Sequence, residues 1–112
     1  MRLITAVIKP HRLDDVKQAL VKVGVQAMTV TEVKGFGRQG GHTETYRGAE
    51  YRVDFVPKIK LEIVADDTQI DEITMAIRDA AQTGVIGDGK IWVTPVESLV
   101  RIRTGDVGSA AI

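Results

Sequence analysis

The chain has no cysteine in its 112 residues. That excludes a disulfide framework, thiolate zinc sites and cysteine nucleophiles. An excess of charge of one sign is also missing, because 15 Lys and Arg balance 15 Asp and Glu. A dedicated nucleic-acid binder usually carries a basic surplus, so no nucleic-acid partner is expected. No apolar run approaches the roughly 18 residues needed to span a bilayer. The opening residues meet Pro10 too soon for a signal peptide. The expectation is a soluble, cytoplasmic protein with no direct membrane insertion.

Aromatics are scarce: Phe36, Tyr46, Tyr51, Phe55 and Trp92 are all there are, while valine and isoleucine together number 26. Branching at Cβ favours pleated strands, so sheet should dominate the core. With 44% hydrophobic and 27% charged residues the composition is globular, and the length allows one domain, residues 1–112. The 11 glycines are clustered, five in 35–48, three in 84–89 and two in 105–108. Clustering of this kind marks loops of special backbone geometry.

Hydrophobic periodicity orders the elements. Residues 2–9 read as a buried strand stopped by Pro10. A helix over 13–23 carries Leu13, Val16, Leu20 and Val23 on one face, with Asp14 and Asp15 in its first turn and Gly24 at its end. A Val- and Thr-rich strand covers 26–35. Over 52–65, Val53, Phe55, Ile59, Leu61, Ile63 and Ala65 share one face, and Arg52, Asp54, Lys58, Lys60 and Glu62 share the other. Pro57 marks a bulge or an edge in that strand. A capping box at Thr68-Gln69-Ile70-Asp71 opens a second helix on Ile70, Ile73 and Ile77. Residues 90–96 form a last strand, and the small, polar tail from 104 reads as mobile.

The order β-α-β, long loop, β-α-β points to an α+β fold, the ferredoxin-like split-βαβ sandwich with helices on one face of an antiparallel sheet. The uncovered face, partly apolar through Val56 and Val64, is a candidate oligomer interface. The 15-residue connection 36–50 exceeds an ordinary hairpin loop. Its glycines, tyrosines and mixed charge fit an arm that docks on partners.

Two glycine patterns imitate nucleotide signatures. Residues 35–40 match G-x-G-x-x-G, but no helical periodicity follows to aim a helix N-terminus at a pyrophosphate. Residues 84–90 match G-x-x-x-x-G-K, but Ile91 stands where a magnesium-binding hydroxyl belongs, and the loop joins a helix to a strand. Three glycines and a lysine can still point amides and an ammonium at a phosphate. Strand-like alternation would put Arg101 and Arg103 on one side, as two forks suited to phosphate, with Val100 and Ile102 on the other. His11 and His42 make no metal site, and no catalytic set stands out. A nucleotide binder that is not an enzyme is the reading from residues alone; a small ATP-hydrolysing or phosphoryl-transfer enzyme is the alternative.

Four stretches carry a resemblance: Lys34-Gly35-Phe36-Gly37-Arg38-Gln39, Tyr46-Arg47-Gly48-Ala49-Glu50-Tyr51, residues 83–90, and Val100-Arg101-Ile102-Arg103-Thr104-Gly105. Together they resemble the PII nitrogen-regulatory signal-transduction proteins over essentially the whole chain. The resemblance implies a homotrimer with a T-loop at about 36–55, a B-loop at about 82–90 and a C-loop at about 102–109. It implies clefts between subunits that bind ATP or ADP, with Mg2+ and 2-oxoglutarate joining when ATP is bound. By matching position, Gly35, Gly37, Arg38, Gly87, Asp88, Gly89 and Lys90 would surround the nucleotide. Arg101 and Arg103 would reach its phosphates from the neighbouring subunit, and Thr29, Glu62, Ile63 and Val64 would line the adenine pocket. Gln39 would ligate Mg2+, and Gln39, Gly41 and Lys58 would hold 2-oxoglutarate. Tyr51 matches the tyrosine that relatives uridylylate or adenylylate. The implied partners are an ammonium transporter, a nucleotidylyltransferase or a transcriptional regulator, met through the T-loop, with recruitment to the inner membrane by the transporter. The chain departs from many relatives at Gly40, where they have lysine, and at Ala49, where some carry a phosphorylated serine.

Overall fold

The computed structural model describes residues 1–37 and 54–112. Six elements build the domain: β1 (Arg2–Ile8), α1 (Leu13–Lys22), β2 (Thr29–Gly35), β3 (Val56–Ala65), α2 (Ile70–Ala81) and β4 (Lys90–Pro95). They form one four-stranded sheet in the order β2-β3-β1-β4, every neighbouring pair antiparallel. This is the ferredoxin-like sandwich, with both helices on one face.

Strand alternation explains why the core lies where it does. Ile4, Ala6 and Ile8 of β1 and Ile59, Leu61, Ile63 and Ala65 of β3 point to one side, and all are buried. Val16 and Leu20 of α1 with Ile70, Ile73, Ile77 and Ala81 of α2 close over them. Each large aliphatic side chain buried this way contributes about 1.5–3 kcal/mol. The helices sit where their sequences place them. Asp14, Asp15 and Lys22 complement the dipole of α1, and Gly24 at φ +92 lets the Val25 N–H return to Leu20 O at 3.0 Å. The Arg12 guanidinium donates twice to Ala80 O, at 2.9 and 2.6 Å, and so caps the carboxyl end of α2.

Several boundaries differ from the sequence expectation. β2 begins at Thr29 instead of 26, and β3 begins at Val56; Arg52 and Val53 lie outside the described residues. Pro57 makes no bulge, because Lys34↔Pro57 and Gly35↔Val56 continue the β2–β3 ladder without a slip. It lies past Ile59, the last residue paired with β1, so β3 has a free edge there. The capping box does not form. A 3-10 turn at Asp67–Gln69 leads into α2 with no side-chain cap. Asp66 and Asp67 are engaged elsewhere, by the Ser109 hydroxyl and by the Met1 amino group with Arg2.

The tail also departs from expectation. Val100 bridges Val107, Gly108 N–H donates to Leu99 O at 2.9 Å, and Gly108–Ala111 makes a 3-10 turn. Gly105 (φ +75) and Gly108 (φ +65) supply the left-handed backbone that folds the segment back onto the domain. Ile77 is fully buried between α2 and the sheet. Ile77→Ala should therefore cost about 2–5 kcal/mol in urea unfolding, and a loss under about 1 kcal/mol would show that the site collapses around the missing atoms.

Candidate functional site

The uncovered face of the sheet carries Leu3, Thr5 and Val7 of β1, Lys58, Lys60, Glu62 and Val64 of β3, and Trp92 and Thr94 of β4. Their registers align Thr5 with both Glu62 and Trp92. Thr5 is buried between these larger neighbours, whereas Trp92 remains about half exposed. At the lower end of this face a cavity of about 760 Å³ opens between β3, the 24–29 connection and the tail. Thr29, Glu62, Ile63, Val64 and Arg101 all line it, with Leu3, Met28 and Ile112. Four residues assigned to an adenine pocket thus share one space with a guanidinium. Residues 26–28, read from sequence as the start of a strand, are instead part of the irregular 24–28 wall of this cavity.

The glycine loop 84–89 lies elsewhere. Asp88, Gly89 and Lys90 line a smaller cavity of about 290 Å³ with Val7, Ile8 and residues of α2. Asp88 organises the loop from inside. Its carboxylate accepts the N–H groups of Thr83 and Gly84, each at 2.8 Å, and the Thr83 hydroxyl. The Lys9 ammonium stands 3.2 Å from it and also donates to Thr83 Oγ1 at 3.1 Å. The Thr83 hydroxyl above all, then those amides and Lys9, hold the Asp88 carboxyl far below the usual carboxylate range against some desolvation. Gly87 and Gly89 adopt φ values of +103 and +98. A Cβ at Gly89 would lie 1.7 Å from Val7 O, so no other residue fits where the loop crosses β1.

Lys58 is the clearest correction on β3. Parity places it on the uncovered, charged face, yet it is only 7% exposed. Gly35 stands against its stem, with Lys58 Cγ 3.8 Å from a Cβ built there, and its ammonium donates to Gly87 O. Burial, and then the nearby Lys9 charge, lower its pKa, while Asp88 opposes them. Lys58 therefore ties the end of β2 to the glycine loop. Just beyond the last β2–β3 pair, Gly35↔Val56, Phe36 and Phe55 meet edge to face at 5.4 Å.

The twin arginines do not lie on a strand. Residues 101–105 form a turn closed by Gly105 N–H to Arg101 O at 2.8 Å, so strand alternation does not operate there. Arg101 faces the larger cavity, and Arg103 lies exposed on the turn and does not line it. Ile102 is 98% exposed. Arg38, Gln39, Gly41 and Tyr51 lie outside the described residues, as do Gly40, Ala49 and most of the 36–55 loop. Gly35 and Gly37 are described, at and just past the end of β2. Among the described residues no group of three His, Asp or Glu gathers to hold a metal ion. Sequence reasoning missed Lys9, Thr83 and Asp106 as organisers. Lys9 gave no signal, since Thr83 is 74 positions away in the chain.

Comparison with known proteins agrees along the chain. The family model described as Nitrogen regulatory protein P-II matches residues 1–106. The chain is 62% identical to Nitrogen regulatory protein P-II of Azospirillum brasilense, over 112 residues and all of both chains. It is likewise 62% identical over the full length to the Rhizobium meliloti protein of that name. It is 61% identical over the full length to Nitrogen regulatory protein P-II 1 of Escherichia coli K12.

The Asp88 clamp has a pH signature. A carboxyl held low in the folded chain stabilises it above the unfolded value of about 3.9, and that contribution drains away as pH falls below it. Urea unfolding should find Asp88→Asn less stable than the parent near pH 6, with the gap narrowing as pH drops below about 4. A gap that stays constant with pH would mean the carboxylate is not held low.

Proposed function

The chain belongs to the P-II family of nitrogen regulatory proteins, and from that premise we propose that it senses ATP or ADP together with 2-oxoglutarate. It is a signal-transduction regulator, and its output in this reading is docking of the 36–55 loop on target proteins. The observation that carries the ligand reading is the single cavity shared by Thr29, Glu62, Ile63, Val64 and the Arg101 guanidinium. A partly apolar slot with a fixed cation at its side suits a flat base followed by phosphates, and its volume is that of an ordinary ligand site.

The glycine loop with Lys90 supplies a second set of donors, in a separate cavity of the same chain. A cleft between subunits would bring one protomer's base pocket to another's glycine loop, which favours a homotrimer. The half-exposed Trp92 and the apolar Leu3 and Val64 on the open sheet face favour it as well. Lys58, held by Gly87 at the root of the loop, is placed to exchange that carbonyl for a 2-oxoglutarate carboxylate. Mg2+ in this reading arrives with the ATP phosphates, with Gln39 as its protein ligand. Arg38, Gly35, Gly37 and Arg103 complete the proposed nucleotide contacts, and Gly41 those to 2-oxoglutarate. Tyr51 is the proposed site of nucleotidylylation, and an ammonium transporter, a nucleotidylyltransferase or a transcriptional regulator are the proposed targets in the cytoplasm. No described helix is long and apolar enough to cross a membrane, so contact with one would come through the transporter.

Calorimetry tests the sensing. 2-Oxoglutarate should bind in the presence of MgATP and hardly at all with ADP, and Arg101→Ala should weaken ATP at least tenfold, about 1.4 kcal/mol. Equal 2-oxoglutarate binding in both backgrounds removes the coupling, and fast, stoichiometric ATP turnover would favour the enzyme alternative. Light scattering should give about three times the 12.2 kDa chain mass, falling to one chain in Trp92→Glu. A monomeric parent protein rules out the trimer.

A further inference from the structure

Arg101 is not free in this fold. Its Nη1 lies 3.3 Å from Asp106 Oδ2, and its Nη2 donates to Ile112 O at 2.9 Å. The Asp106 carboxylate is itself aimed: the Thr104 hydroxyl donates to the same Oδ2 at 2.8 Å, and Asp106 N–H returns to Thr104 Oγ1 at 3.3 Å. Arg101 N–H to Asp106 O at 2.9 Å, the Val100↔Val107 bridge and the left-handed Gly105 lock the turn that sets this geometry. Ala111 and Ile112 then close along the same cavity that Arg101 lines.

We infer that Asp106 is an internal competitor for the Arg101 guanidinium and sets how tightly the cavity binds phosphorylated ligands. A guanidinium binds phosphate best when a pair of parallel N–H groups is turned to it. Here one amino group is committed to a carboxylate and the other to a backbone oxygen. A phosphate arriving at Arg101 must displace or share these acceptors, and it meets the Asp106 charge while doing so. Both side chains of the pair are partly exposed, at 37% and 46%, so the bond is weak enough to exchange. The Thr104 hydroxyl, by holding Oδ2, keeps the competitor in place. Asp106 thus acts through Arg101 as a positioning residue, and the tail works as a latch that an anionic ligand opens.

The inference rests on the reading of Arg101 as a phosphate ligand, and the experiment separates the two. Calorimetry on the full chain compares ATP and adenosine binding to the parent, Asp106→Asn, Asp106→Glu, Arg101→Ala and the Arg101→Ala/Asp106→Asn pair. Asp106→Asn should bind ATP roughly threefold to tenfold more tightly with adenosine affinity unchanged. Asp106→Glu, which restores the charge, should return ATP affinity to within about twofold of the parent, and the gain should vanish when Arg101 is absent. A residue that merely shaped the turn would lose affinity on substitution, so the sign of the change decides. Thr104→Val, which frees the carboxylate without removing it, should also tighten ATP and serves if Asp106→Asn fails to fold. ATP affinity that is unchanged or weaker in the folded variants, with Arg101→Ala weakened, overturns the latch alone. Unchanged affinity in Arg101→Ala overturns the phosphate reading and the latch with it.

Discussion

The register of β1 between its two neighbours constrains everything else in this molecule. Arg2–Ile8 pairs with β3 on one side and β4 on the other without a slip. A shift of one residue would turn Ile4, Ala6 and Ile8 out of the core and bring Thr5 and Val7 into it. The helices have their apolar faces ready, but only this register gives them a surface to cover. The same pairing leaves Glu62, Thr5 and Trp92 in a row across the open face, and it brings Val7 O against the backbone at Gly89. The core and the glycine loop are therefore positioned by one strand.

From that strand outward, charge organises what apolar burial leaves undecided. Lys9, immediately after β1, reaches Asp88, and Asp88 gathers the amides at 83 and 84. Lys58, on β3, reaches Gly87. Gly87 and Asp88 are thus tied to β3 and to the residue that follows β1, although the loop itself carries three glycines. An exposed ion pair alone contributes little, but a carboxylate accepting several N–H and O–H groups at once defines a shape. The tail repeats the device on a smaller scale, with Asp106 holding Arg101 and Thr104 holding Asp106. In a signalling protein such contacts matter because only differential contacts move a conformational balance.

The two cavities set the scale on which this chain works. Thr29, Glu62, Ile63 and Val64 share one cavity with Arg101, and Asp88, Gly89 and Lys90 belong to the other. Their separation inside one chain, and the apolar residues left uncovered on the open sheet face, are what the proposed trimer rests on.

Periodicity was enough to place the strands and helices, because side chains repeat every two residues on a strand and every 3.6 on a helix. It located Ile59, Leu61 and Ile63 in the core, and residue type and glycine spacing singled out the 84–90 loop and Arg101. What those patterns could not carry were contacts made across the chain. Lys58 shares its parity with half-exposed Lys60 and Glu62, yet it is buried, with Gly35 against its stem and the Gly87 carbonyl on its ammonium. Arg103 alternates with Arg101 on paper, but the segment closes into a turn with a left-handed glycine at 105, so alternation does not govern it. Lys9 and Asp88 meet though they are far apart in sequence. Local pattern determines which face a residue occupies; tertiary structure alone decides what that face meets, because meeting depends on where the rest of the chain returns.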